Sequence, residues 1–115
     1  MIDRKELRAD NYVLGPLLDI CRIKNSDIHQ GFNSDCQPLP VSKSILLKCG
    51  FEETSASDVF KLKLSEDVTL VLNLVGCAYL LQYGDMVNIG ANLNYLHKLQ
   101  NFYYFFTDQE LEVSL

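Results

Sequence analysis

LNYLHKLQNFYYFF, residues 93–106, is the stretch on which the fold turns: 6 of its 14 residues are Phe or Tyr. Set at about 100° per residue, Tyr95, Leu96, Leu99, Phe102, Tyr103 and Phe106 fall on one arc, the stripe of a helix laid on a core. The spacing therefore predicts a long C-terminal helix over about 93–106, capped by Asn92. Two readings of its end follow from the residues beyond. Thr107-Asp108-Gln109-Glu110 fits a capping box that opens a new turn, and Asp108 equally fits the left-handed residue that closes the long helix. Leu111 to Val113 could then add an edge strand.

Upstream of the helix the period changes from 3.6 to 2. VFKLKL at 59–64, TLVLNL at 69–74 and YLLQY at 79–83 are separated by polar or glycine-bearing turns, and Phe60, Leu62 and Leu64 alternate with Lys61 and Lys63. That is the pattern of an antiparallel meander with one buried and one wet face. Gly84-Asp85 permits a tight turn into a fourth strand over 86–89. Earlier still, Ser42 is placed to cap a short helix over about 42–49, with Gly50 at its C-terminal cap and Phe51 packing back. Pro38 and Pro40 impose an extended approach to it. Residues 11–14 and 17–23 read as two short strands around Gly15-Pro16. The polar stretch 24–37 is irregular, with one further candidate strand at 28–32.

These elements define an α+β fold in one domain over residues 1–115: an antiparallel β-meander sheet of about five strands, packed by the short and the long helix. At 115 residues, 48% of them hydrophobic and 22% charged, the chain can bury a core without metal or disulfide staples.

The net charge of −5 opposes approach to phosphate backbones and anionic lipid, so nucleic acid is a disfavoured partner. The most apolar stretch, 68–81, is interrupted by Asn73 and Gly76 and is too short for a bilayer span, so no membrane partner is expected. The charged start MIDRKELRAD has no apolar signal run, so the expected location is the cytoplasm. There Cys21, Cys36, Cys49 and Cys77 would be free thiols.

Chemistry-bearing constellations are sparse. No Cys-x-x-Cys pair occurs, and His29 with Cys36 is the only plausible metal-ligand pair, since both lie in the irregular region. Cys49 would lie at a helix C-terminus, where the dipole disfavours a thiolate; Cys21, Cys49 and Cys77 read as small core residues. His97 lies off the apolar arc and is expected at the surface or boundary. Gly84 and Gly90 match no phosphate-binding spacing, and no general base has a visible partner, so neither enzyme activity nor a cofactor is expected. What remains is protein recognition. Tyr104 and Phe105 lie off the core arc. Either Phe105 packs under the tail or the first strands, or the pair forms an aromatic hot spot for a second copy or another protein.

Three blocks carry a resemblance: LRADNYV at 7–13, CQPLPVSKSILLKCGF at 36–51 and YLHKLQNFYYFFTDQEL at 95–111. They resemble a family of small uncharacterised proteins from gut-anaerobe genomes and their phages or integrated elements. Members open with Leu-Arg-x-Gly-Asn-Tyr-Val, continue with Pro-(Ile/Leu)-Pro-Leu-Thr and Ile-Leu-Leu-Lys-x-Gly-Phe, and close on Leu-Gln-Asn-Leu-Tyr-x-x-Leu-Thr-Gly. This chain departs at Asp10 and Asp108, where the family pattern has glycine. Asp also visits positive φ at modest cost, so the same turns are expected. The resemblance implies a shared fold and an association with mobile elements, and brings no activity with it. The expected function is a non-enzymatic interaction or accessory protein; the alternative is a small nucleic-acid-binding regulator that uses a local patch.

Overall fold

A computed structural model of the chain describes residues 8–14, 20–23, 37–74, 78–89 and 93–114. Strands β1 (Tyr12–Leu14) and β2 (Ile20–Arg22) form an antiparallel pair, with Val13 opposite Cys21. Helix α1 (Lys43–Lys48) leads into β3 (Glu52–Glu53), β4 (Val59–Ser65), β5 (Val68–Asn73), β6 (Ala78–Gln82) and β7 (Asp85–Asn88), and helix α2 (Leu96–Thr107) follows. Strands β3 to β7 make a five-stranded antiparallel sheet in sequence order, the meander that the alternation predicts.

Local rules account for α1. The Ser42 hydroxyl accepts the Ile45 amide at 3.3 Å, which satisfies one orphan donor of the first turn. At the other end Gly50 (φ +91°) donates to Leu47 and Phe51 donates to Leu46 at 3.0 Å, a Schellman closure that the left-handed glycine permits. Phe51 is thereby turned into the core, beside buried Leu46 and Cys49. Pro38 and Pro40 keep the approach extended: Pro40 bridges Tyr95, and the Val41 amide reaches the Asn94 carbonyl at 2.7 Å.

In the sheet, Phe60 pairs with Leu72 and Leu62 with Leu70, placing these residues on the face that meets Leu46, Leu96 and Leu99. Lys61 and Lys63 occupy the opposite face and are exposed. The β6–β7 hairpin turns on Tyr83 (φ +51°) and Gly84 (φ +85°), the sign pattern of a type I′ turn, whose twist suits a two-residue connection.

Four expectations are corrected. The fifth strand is β3, not Leu111 to Val113: Leu111 is buried in the core, and Ser114 donates to the Lys48 carbonyl at 3.0 Å, so this tail closes over the end of α1. Two consecutive glutamates carry no strand signal, and β3 forms because Phe51 exits its turn alongside β4. Helix α2 begins at Leu96 rather than near 93, because Asn94 and Tyr95 are extended against Val41 and Pro40; Tyr95 holds the N-cap position, and Asn92 lies outside the described residues. Finally, the buried residues of α2 are Leu96, His97, Leu99 and Gln100, while Phe106 is 37% exposed. The core face is turned by roughly a quarter of a revolution from the aromatic arc, taking 100° per residue. His97, expected at the surface or boundary, is buried, its ring stacked on Tyr95 at 6.3 Å.

Asp108 settles the two readings of the helix end. It sits in the left-handed region (φ +59°, ψ +25°) and donates to the Tyr104 carbonyl at 2.8 Å, closing α2. No helix opens at Thr107; its hydroxyl caps back onto the Tyr103 carbonyl at 2.7 Å. Asp10 likewise has a positive φ of 74° and turns the chain into β1.

Candidate interaction surface

The rotation of α2 has a polar cause. Gln100 is 1% exposed, and its side-chain amide grips the β1 backbone: Oε1 accepts the Tyr12 amide at 2.8 Å, and Nε2 donates to the Asp10 carbonyl at 2.9 Å. One side chain thus stands in for a missing neighbouring strand. Asn11, fully buried, accepts the Arg8 amide at 2.7 Å and donates to Asn101 Oδ1 at 2.9 Å. A glutamine and an asparagine can face the interior here because both partners of each amide are supplied; unmatched, each buried group would cost about 1–3 kcal/mol.

Arg8 completes the clasp and reaches the outer surface. Its Nε donates to Asn101 Oδ1 at 3.1 Å, its Nη2 donates to Glu110 Oε2 at 3.2 Å, and its second terminal nitrogen pairs with Glu110 Oε1. The guanidinium carbon lies over the Tyr104 ring, 4.3 Å from the centroid. Cation–π attraction of about 0.5–2 kcal/mol and a partly exposed ion pair of up to about 1 kcal/mol combine there. They cover one face of Tyr104, which stays 39% exposed.

Phe105, the next residue, is 87% exposed. It does not pack under the tail or against β1, because α2 presents its buried side through Gln100 and Leu99 and leaves Phe105 pointing away. Phe102 and Phe106 stack on each other at 6.1 Å and prolong the aromatic surface along the helix. Of the two residues singled out from the sequence, Tyr104 is held by Arg8 and Phe105 stands clear. A second apolar group lies at the β6–β7 hairpin, where Tyr83 is 81% and Met86 62% exposed.

The chemical candidates fare differently. His29, Cys36 and Cys77 lie outside the described residues. Cys49 is buried, and burial pushes its thiol up to about 12 from 9.0, so it stays protonated near neutrality. Cys21 is half-buried on β2, less deeply placed than a core residue. A depression of about 260 Å³ beside the clasp is lined by Asp10, Tyr12, Arg22, Gln100 and Glu110. Several of its groups are already engaged: Arg22 pairs with Asp10 at 3.0 Å, Gln100 holds the Tyr12 amide and Glu110 pairs with Arg8, while exposed Glu112 also lines it. Among the described residues no group of three His, Cys, Asp or Glu side chains is placed to hold a metal ion, and no helix is long and apolar enough to cross a membrane.

The clasp residues Arg8, Asn11, Gln100 and Asn101 went unread in the sequence as a unit. Periodicity gives no sign of them: Gln100 and Asn101 lie off the apolar arc, where polar residues are expected to face water, and Asn11 follows Asp10 in a polar turn. Comparison of the chain with protein-family models, with curated proteins and with solved structures gives no match.

Proposed function

We propose that this protein is a non-enzymatic interaction or accessory protein whose contact surface is the aromatic end of α2, centred on Phe105 with Tyr104 beside it. The observation that carries the reading is the 87% exposure of Phe105 on a helix whose other side is anchored in the core. A large aromatic held on a rigid element loses little conformational entropy on binding, and aromatic anchors of this kind dominate the energetics of interfaces. Covering a phenylalanine side chain contributes about 1.5–3 kcal/mol. Service to a mobile element follows from the sequence resemblance and from nothing else.

The lysines on the open sheet face do not favour a nucleic-acid reading, because Glu52 stands opposite Lys61 across the β3–β4 pair. The test is a Phe105→Ser variant, which removes an exposed ring and touches no core contact. Circular dichroism and thermal unfolding should match the parent, while complexes formed by the parent, in its native host's lysate or with itself, should be lost. Association that survives Phe105→Ser in a folded variant refutes the reading.

A further inference from the structure

The chain already contains one worked example of what its aromatic surface recognises. Arg8 lies with its guanidinium over the Tyr104 ring and its nitrogens on the Glu110 carboxylate. One residue on, Phe105 has an uncovered ring, and Asp108 follows three residues later at the helix end. Asp108 is exposed and has no ion-pair partner among the described residues.

The helix end itself is negative. The last turn of α2 has no basic residue to offset the helix dipole, whose C-terminal pole is equivalent to about half an elementary charge. Arg8 is neutralised by Glu110, and exposed Glu112 adds to the field. The nearest other cation along the helix, Lys98, sits over Tyr95. The whole chain carries −5.

We infer that Phe105 and Asp108 together receive an arginine side chain of a basic protein segment, which stacks on the ring and pairs with the carboxylate as Arg8 does on Tyr104 and Glu110. The inference rests on the interaction reading above and names the partner's chemistry. Arginine fits better than lysine because its flat cation can cover a ring while its edge donates to a carboxylate. A second copy fits poorly: it would bring its own Asp108, Glu112 and negative helix end against the same charges.

The test uses three fluorescein-labelled twelve-residue peptides, alternating alanine with arginine, with citrulline or with glutamate, followed by fluorescence anisotropy at low salt. Citrulline keeps the shape of arginine and removes its charge. The arginine peptide should bind at least tenfold more tightly than the citrulline peptide, and the glutamate peptide should not bind. Phe105→Ser should weaken the arginine peptide at least tenfold without altering the protein's charge. Asp108→Asn should weaken it about threefold, and asparagine tolerates the left-handed backbone, so the cap survives. Arginine-peptide binding that is unchanged in Phe105→Ser is attraction to net charge alone and overturns the inference. Equal, Phe105-dependent binding of the citrulline peptide also overturns it but leaves the aromatic interface standing. No peptide binding, with self-association in sedimentation equilibrium that Phe105→Ser removes, makes the occupant a second copy and again spares the broader reading. If no association of any kind depends on Phe105, both fall.

Discussion

Replacing Gln100 by methionine isolates the amide clasp from the packing around it. Methionine has nearly the same length and volume, so the cavity stays filled, and the loss is confined to two hydrogen bonds at 2.8 and 2.9 Å. Both backbone partners, Tyr12 N–H and Asp10 C=O, are half-buried, and each unmatched group costs about 1–2 kcal/mol, the lower part of the range for buried polar groups. The sum is a destabilisation of about 2–4 kcal/mol. For a chain of this size that corresponds to a fall of roughly 10–20 °C in Tm. Urea unfolding followed by circular dichroism measures the free energy, and amide exchange at Tyr12 reports the local opening. Gln100→Glu is the control for direction. Its carboxylate can still accept from Tyr12 but cannot donate to Asp10; once protonated it can do both. Its deficit relative to the parent at the same pH should therefore shrink as pH falls below about 5. A Gln100→Met loss below about 0.5 kcal/mol, with Tyr12 exchange unaltered, would show that water replaces the clasp at no cost, and the account of why α2 turns as it does would fail.

Further outcomes follow from single sites. The Cys49 thiol is raised in the folded state to about 12 from 9.0, so its contribution is complete below about pH 9 and is lost as pH rises toward 12, when the unfolded chain ionises and the folded one does not. Comparing urea midpoints of the parent and Cys49→Ala between pH 8 and 11 should show a parent excess slope of roughly 1 kcal/mol per pH unit, and parallel curves would contradict it. Gly50→Ala should destabilise by about 1 kcal/mol through φ +91° alone, since the added methyl would meet nothing closer than Leu62 Cδ1 at 4.0 Å. Tyr83→Asn should stabilise by about 0.5–1 kcal/mol in thermal melts, because the ring is 81% exposed and asparagine suits φ +51° better; a fall in Tm would mean that the ring packs in solution.

Features governed by near neighbours were legible in the sequence. The alternation of Phe60, Lys61, Leu62 and Lys63 foretells which face of β4 is wet, and the Ser42 to Phe51 span predicts its own helix from cap to Schellman closure. Asp10 and Asp108 stand at positive φ, a conformation that aspartate adopts at modest cost. What escaped were choices made between distant segments. The aromatic stripe of α2 marks a buried face only if apolar burial decides the rotation. Here two amides bonding β1 decide it, drawing in Gln100 and leaving Phe106 partly outside. Strand β3 was hidden for the same reason: two glutamates pair because the preceding turn delivers them to β4. Phe105 was visible as off the arc, but its exposure could be settled only once the rotation was known.

The clasp also sets an order of events during synthesis. Asn11 and its partner Asn101 are separated by 90 positions, an interval of roughly 5–20 seconds at ordinary translation speeds. Until the later helix emerges from the ribosome, the Asn11 side-chain NH2, the Tyr12 amide and the Asp10 carbonyl lack the partners that Asn101 and Gln100 supply, although β2 can already pair with β1. The beginning of the fold therefore waits for its end, and a nascent chain halted after β7 should carry a formed sheet with its first segment still open to proteolysis.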